Sequence, residues 1–115
     1  MHEVSLVHAL FDQVDRALIG QAGAAVLQLT VRIGAMAGVE HELFRTAFEW
    51  TKEERGYPRA QLDILVEDVA YACSECGAAL AARAPFRCSS CDGKARLTHG
   101  GSLILERMEL EVRDV

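Results

Sequence analysis

No run of apolar residues in this 115-residue chain approaches the ~20 needed to cross a bilayer. Its opening, Met1-His2-Glu3-Val4-Ser5, has neither the basic flank nor the apolar stretch of a secretory signal. Together these absences predict a cytoplasmic protein with no membrane partner. A basic excess is missing as well: 12 Lys and Arg stand against 17 Asp and Glu, for a net charge of -5. General affinity for nucleic acid or anionic lipid needs a basic face to displace counterions, so neither is expected. No tract of Gly, Ser, Pro or Gln interrupts the chain, which excludes a disordered or low-complexity segment and a linker between independent domains. Catalytic signatures are absent too. There is no nucleophile with a matched base and no carboxylate pair in a readable motif, and Gly20-x-x-Gly23 lacks the length and the Lys of a phosphate loop. The protein is not expected to be an enzyme.

What is present is enough apolar residue, 50 %, to bury the core of one ordinary domain, with length to spare for one small appended module. Between Ser5 and Ile19, Leu6, Val7, Leu10, Phe11, Val14 and Leu18 recur at three and four positions, predicting a helix that Gly20 or Gly23 ends. Leu27, Leu29, Val31 and Ile33 then alternate with Gln28, Thr30 and Arg32, the period of a half-buried strand closed by Gly34. A second helix is predicted from Glu40 to Glu54, with Leu43, Phe44, Ala47, Phe48 and Trp50 as its apolar stripe and Gly56 and Pro58 beyond its end. Leu62, Ile64 and Val66 mark a strand whose phase slips before Val69 and Tyr71, as at a bulge or bend. A last strand, Ser102 to Val112, has Ile104, Met108, Leu110 and Val112 in phase. The predicted fold is α+β: two helices packed on a small three-stranded sheet, with an inserted zinc-ribbon-like loop.

That loop holds all 4 cysteines, as Cys73-Ser74-Glu75-Cys76 and Cys88-Ser89-Ser90-Cys91. In a reducing compartment such a cluster points away from disulfides. Two residues between paired thiolates let a tight turn aim both sulfurs at one ion while backbone amides offset their charge, and two such turns complete a tetrahedron. Gly77 and Gly93 supply permissive backbone beside the two pairs. Tetrahedral sulfur suits zinc and also iron; metal availability and the rest of the chain favour Zn(II). Four thiolates leave no open coordination position, so the ion would be structural. With only Leu80, Phe86 and Leu97 as large apolar groups, the loop would depend on it for folding.

The opening tripeptide carries a second, different donor set. With His2 in second place, the terminal amine of Met1, the His2 backbone nitrogen and its imidazole Nδ1 close a five- and a six-membered chelate ring around one metal. The Glu3 backbone nitrogen can add a fourth donor, and this nitrogen-rich set suits Ni(II) or Cu(II). Met1-His2-Glu3-Val4-Ser5-Leu6, Arg32-Ile33-Gly34 with Gly38-Val39-Glu40, Ala47-Phe48-Glu49, the double Cys-x-x-Cys and Gly101-Ser102-Leu103-Ile104-Leu105-Glu106-Arg107-Met108-Glu109 together resemble the HypA family of hydrogenase maturation nickel chaperones. The resemblance implies a nickel-binding α+β domain of residues 1–69 and 99–115 and a zinc-binding domain of residues 70–98. It implies Ni(II) as transient cargo on His2, Met1 and Glu3, with Glu40 near the site, and Zn(II) on Cys73, Cys76, Cys88 and Cys91. The partners it implies are a HypB-type GTPase and the precursor of a [NiFe]-hydrogenase large subunit, the chain acting as monomer or dimer. Ser89 departs from the Pro that many family members carry after the third cysteine, which affects only the stiffness of that turn.

A zinc ribbon contacting nucleic acid or a transcription factor is the competing reading, on the strength of Arg83, Arg87, Lys94 and Arg96 in or beside the loop. The acidic remainder and the shortage of stacking aromatics there count against it. His8, His41 and His99 read as surface histidines, and Trp50 and Phe48 as core or partner-facing groups.

Overall fold

The structure, a computed structural model, describes residues 2–21, 23–81 and 87–112. Met1, Arg83 and Phe86, which the sequence singles out, lie outside the described residues. The described elements run α1 (His2–Ala17), β1 (Ala25–Gly34), α2 (His41–Thr51), β2 (Gln61–Glu67), β3 (Ala70–Cys73), β4 (Ala79–Leu80), β5 (Ala95–His99) and β6 (Leu103–Glu111). Two three-stranded sheets form, in the orders β2-β1-β6 and β4-β3-β5. The α+β class and the first sheet are as expected. The second sheet is new: residues 68 and 69 separate two strands of different sheets, and the register of β3 against β5 shifts between Ala70 and Tyr71, where the phase slip was expected.

The chain divides into two compact units, one of residues 1–32, 39–65 and 104–115, the other of residues 33–38 and 66–103. In the first, Val7, Leu10, Phe11 and Val14 of α1, Phe44, Ala47 and Phe48 of α2, and Leu29 and Val31 of β1 are buried at the expected three-to-four and two-residue spacings, while at the start of β1 Val26 is buried and Leu27, expected in phase, is only partly so. No helix among the described residues is long and apolar enough to cross a membrane.

Several expected core positions face outward. On α2 the stripe is narrower than predicted: Leu43 and Trp50 are exposed, and Thr51 is buried in their place. The apolar arc of that helix spans more than the neighbouring elements cover, and its Leu43–Trp50 flank is left over. Val66 is exposed although Leu62 is buried. On β6, Leu103, Leu105, Met108 and Leu110 are the less exposed residues, while Ile104 and Val112 are exposed. The exposure pattern changes parity between Leu105 and Met108.

The turn after α2 is fastened to α1 by charge and ring stacking. Arg55 donates to Asp12 Oδ1 at 2.7 Å, to Asp15 Oδ2 at 3.0 Å and to the His8 carbonyl at 3.2 Å. Phe11 stacks with Phe48 at 5.3 Å and with Tyr57 at 5.5 Å between ring centroids. The Tyr57 hydroxyl donates to Asp15. Burial, and next the Asp15 carboxylate, push the Tyr57 hydroxyl up from 10.0 to about 12. Because the folded value is the raised one, the stabilisation is complete below the unfolded value and is lost as pH rises through the folded one. In a tyrosinate absorbance titration, one of the 2 tyrosines should therefore ionise late, and Asp15→Asn should bring it down. Simultaneous ionisation of both tyrosines would contradict this packing.

Candidate metal centres

Each cysteine pair sits at a turn with its own hydrogen-bond frame, and the two frames match. The Cys73 carbonyl accepts from Gly77 N at 3.0 Å and Cys73 N donates to the Ala78 carbonyl at 2.8 Å. The Cys88 carbonyl accepts from Asp92 N at 2.8 Å and Cys88 N donates to the Gly93 carbonyl at 2.9 Å. In both, the residue following the second cysteine has a left-handed backbone: Gly77 at φ 80° and Asp92 at φ 60°. This corrects the sequence reading, which gave the permissive role in the second turn to Gly93. Aspartate tolerates that region because its short polar side chain bonds locally.

Gly93 is needed for space instead. A Cβ there would stand 2.6 Å from Cys73 Sγ and 2.8 Å from Glu75 Cγ. A side chain at this position thus pushes on a proposed ligand sulfur, and Gly93→Ala should weaken metal retention by about tenfold or more, within the range for groups that orient ligands. Competition with a chromophoric chelator measures it, and unchanged retention would remove the steric argument.

The strands bring the two turns together. β3 pairs antiparallel with β4 and with β5, and an isolated Arg87–Lys94 bridge closes the second turn. Ser74 N donates to the Lys94 carbonyl at 2.9 Å, joining the first turn to the strand that leaves the second. The four Sγ atoms consequently lie within 4.8 Å of one another, with Cys73–Cys91 at 3.3 Å and Cys76–Cys88 at 3.6 Å. Metal–sulfur bonds of ~2.3 Å in a tetrahedron require sulfurs ~3.8 Å apart, so these residues fit one ion of zinc size.

Backbone amides prepare the sulfurs for it. Glu75 N and Cys76 N donate to Cys73 Sγ at 3.3 and 3.4 Å, and Ser90 N donates to Cys88 Sγ at 3.3 Å. The Cys76 amide above all lowers the Cys73 thiol to about 6, and the Cys91 amide lowers Cys88. Cys91, which shares a proton with Cys73, is pushed up to about 12. A divalent cation among the sulfurs would take that proton's place and hold all four as thiolates. Cys73 and Cys88 are buried; Cys76 and Cys91 are exposed.

Of the second candidate donor set, His2 and Glu3 stand on α1, and Glu40 stands just ahead of α2. His2 is exposed and is the first residue of α1, which therefore starts three residues before the predicted Ser5. The backbone N–H groups of a first helical turn have no intrahelical acceptor. The Glu3 carboxylate accepts from Glu40 N at 3.1 Å, and that bond is the main reason the group lies below the usual carboxylate range. Glu40 is the N-cap of α2 and its Oε1 accepts from Glu42 N at 3.3 Å. Positions 3 and 40 are thus brought together, and both carboxylates serve backbone amides. His8 Nδ1 lies 3.1 Å from Arg55 Nη1, His41 begins α2, and His99 is exposed with Nδ1 3.2 Å from Thr98 Oγ1.

Known proteins resemble this chain in sequence and in fold. The sequence model of the family described as "Hydrogenase/urease nickel incorporation, metallochaperone, hypA" matches residues 1–110. A hydrogenase maturation factor HypA of Shewanella halifaxensis is 32 % identical over 96 % of this chain and 98 % of its own, and one of Chloroflexus aurantiacus is 31 % identical over 95 % and 98 %. The solution structure of the Ni metallochaperone HypA from Helicobacter pylori, at 28 % identity, covers 96 % of this chain and 98 % of its own with a TM-score of 0.76. A second HypA solution structure, 26 % identical, covers 98 % of both chains with a TM-score of 0.81.

Proposed function

The chain belongs to the HypA family of nickel metallochaperones of hydrogenase maturation, and from that premise we propose that its Ni(II) cargo is held by Met1, His2 and Glu3. The donors in this reading are the Met1 amine, the His2 amide and Nδ1, and the Glu3 amide. The observation that carries it is the start of α1 at an exposed His2. The amides of His2 and Glu3 lie in the first helical turn, where no carbonyl of the helix competes for them. A metal can take these nitrogens without breaking a helical hydrogen bond.

The Glu3 carboxylate has a different role from its amide. Held by Glu40 N, it ties the first turn of α1 to the N-terminus of α2, and Glu40 acts on the site by presenting that amide. Nickel binding must displace protons from amine, amide and imidazole, so affinity rises with pH and protonation favours release. Nitrogen donors that exchange protons suit a carrier, which has to hold and then surrender its ion.

Cys73, Cys76, Cys88 and Cys91 are proposed to hold a structural Zn(II), which cross-links the two turns. The closed set of four sulfurs offers no position for cargo. A HypB-type GTPase and the large-subunit precursor of a [NiFe]-hydrogenase are the proposed partners in the cytoplasm. The test of the cargo site is nickel titration of the untagged protein beside a His2→Ala variant and a form with the Met1 amine acetylated. Equal affinity in all three would remove it.

A further inference from the structure

The apolar flank of α2 that the core leaves uncovered is concave. Leu43 is 57 % exposed, Trp50 80 % and, facing them from α1, Val4 is 40 % exposed. With Glu3, Thr46 and Ala47 they line a groove of about 160 Å³ between the two helices. Scattered exposed apolar residues are ordinary on protein surfaces. Leu43, Ala47 and Trp50 differ in sharing one helical stripe, at intervals of four and three, along one wall of a groove.

Charge defines the rim. Glu42, Thr46 and Glu49 follow at i, i+4 and i+7 on α2, and since Thr46 lines the groove, this stripe borders it; Glu53 is exposed in the turn two residues past the helix end. Among the described residues, Glu42 and Glu53 have no ion pair. The cations nearby are turned to other work. Arg45 donates to the Leu62 carbonyl at 3.2 Å, Lys52 donates to the Ala60 carbonyl at 3.0 Å and pairs with Glu49, and Arg55 is held by Asp12 and Asp15. The groove is therefore apolar inside and acidic at its border.

We propose that this groove docks a cationic amphipathic helix of a partner protein, with one leucine- or phenylalanine-sized anchor beside Trp50 and Lys or Arg residues facing Glu42 and Glu53. The volume fits one such anchor, since an apolar cavity of ~150 Å³ accommodates benzene. Lodging an apolar helix face in a groove is a recurring mode of recognition, and the acidic border selects the sign of the flanking charge. A second copy of this chain is disfavoured as occupant, because a two-fold interface would set the two acidic stripes against each other. Nucleic acid and anionic lipid are disfavoured for the same reason of sign. Because Glu3 lines the groove, a docked helix would adjoin the proposed cargo ligands; that consequence rests on the nickel reading, whereas the docking does not.

Trp50 is the 1 tryptophan of the chain, so its fluorescence reports the groove directly. The full chain is titrated with a short synthetic Leu/Lys amphipathic helix and with its Leu/Glu counterpart. The Leu/Lys helix should shift Trp50 emission to the blue and saturate at one per chain, weakened by salt, while the Leu/Glu helix binds at least about tenfold less tightly. Leu43→Asp should lower affinity for the Leu/Lys helix by about tenfold or more, as truncation of a central anchor does. The exposed double change Glu42→Lys with Glu53→Lys should reverse the preference between the two helices. Nickel uptake by Leu43→Asp should match the unaltered chain, so failure of docking and failure of the cargo site are read separately. Equal affinity for both helices, undiminished binding by Leu43→Asp, or a Trp50 shift produced only by self-association, DNA or anionic vesicles would overturn the proposal.

Discussion

Replacing His2 by Ala, or blocking the Met1 amine by acetylation, is expected to weaken Ni(II) binding by about a hundredfold or more, equivalent to ~2.7 kcal/mol. The two changes act on different atoms of one chelate. His2→Ala removes the imidazole and its six-membered ring, leaving amine and amides. Acetylation keeps the imidazole but converts the amine to an amide with no free lone pair, which removes the anchoring donor of the five-membered ring. Because the donors act as a unit, combining the changes should cost little more than the larger of them. His2 is exposed at the first position of α1, so neither change should alter helical content. Metal at the cysteines should remain at one ion per chain in both variants. Nickel affinity equal to that of the unaltered chain in either variant would show that the cargo sits elsewhere.

Cys73→Ser should produce the opposite pattern: loss of the structural metal and unfolding of β3, β4 and β5, with the α1–α2 core retained. Between Ala70 and His99 the buried hydrophobic residues among those described are Ala72, Cys73 and Cys88. The centre of this unit is thus formed mainly by sulfur. In zinc-finger peptides the ion supplies ~10–16 kcal/mol of apparent binding free energy, which is folding free energy in a domain with little apolar core. Serine has no thiolate to offer, and it would leave the amides of Glu75 and Cys76 aimed at a weaker acceptor. Metal analysis of the purified variant, with near-complete loss of dispersion for the amide signals of residues 70–99, would bear this out. A variant that retains one ion per chain and the unaltered signals would show that Cys73 is dispensable.

The cysteine donor set was legible because it is local. A Cys-x-x-Cys turn is fixed by covalent spacing within a few residues, whatever the rest of the chain does. The first sheet and both helices were legible because their buried faces leave periodic traces, Val7-Leu10-Phe11-Val14 on α1 and Leu29-Val31-Ile33 on β1. The β4-β3-β5 sheet left none. Its strands are short and cover cysteines rather than a row of aliphatic side chains, so there is no alternation to read. Gly93 was assigned the wrong reason for the same cause, since the need for space beside Cys73 Sγ arises from a residue twenty positions away.

Sequence by itself determined the chemistry available here: four cysteines in two Cys-x-x-Cys pairs and an acidic, α+β chain. Tertiary structure alone decided where that chemistry meets. It converged the two cysteine pairs, set the Glu3 carboxylate on the Glu40 amide, and left Leu43 and Trp50 open beside Glu3 while Phe44 and Phe48 of the same stripe were buried. The physical reason is that local patterning fixes which side of an element is apolar, whereas only packing fixes how much of that side is covered and which distant backbone group meets a given side chain.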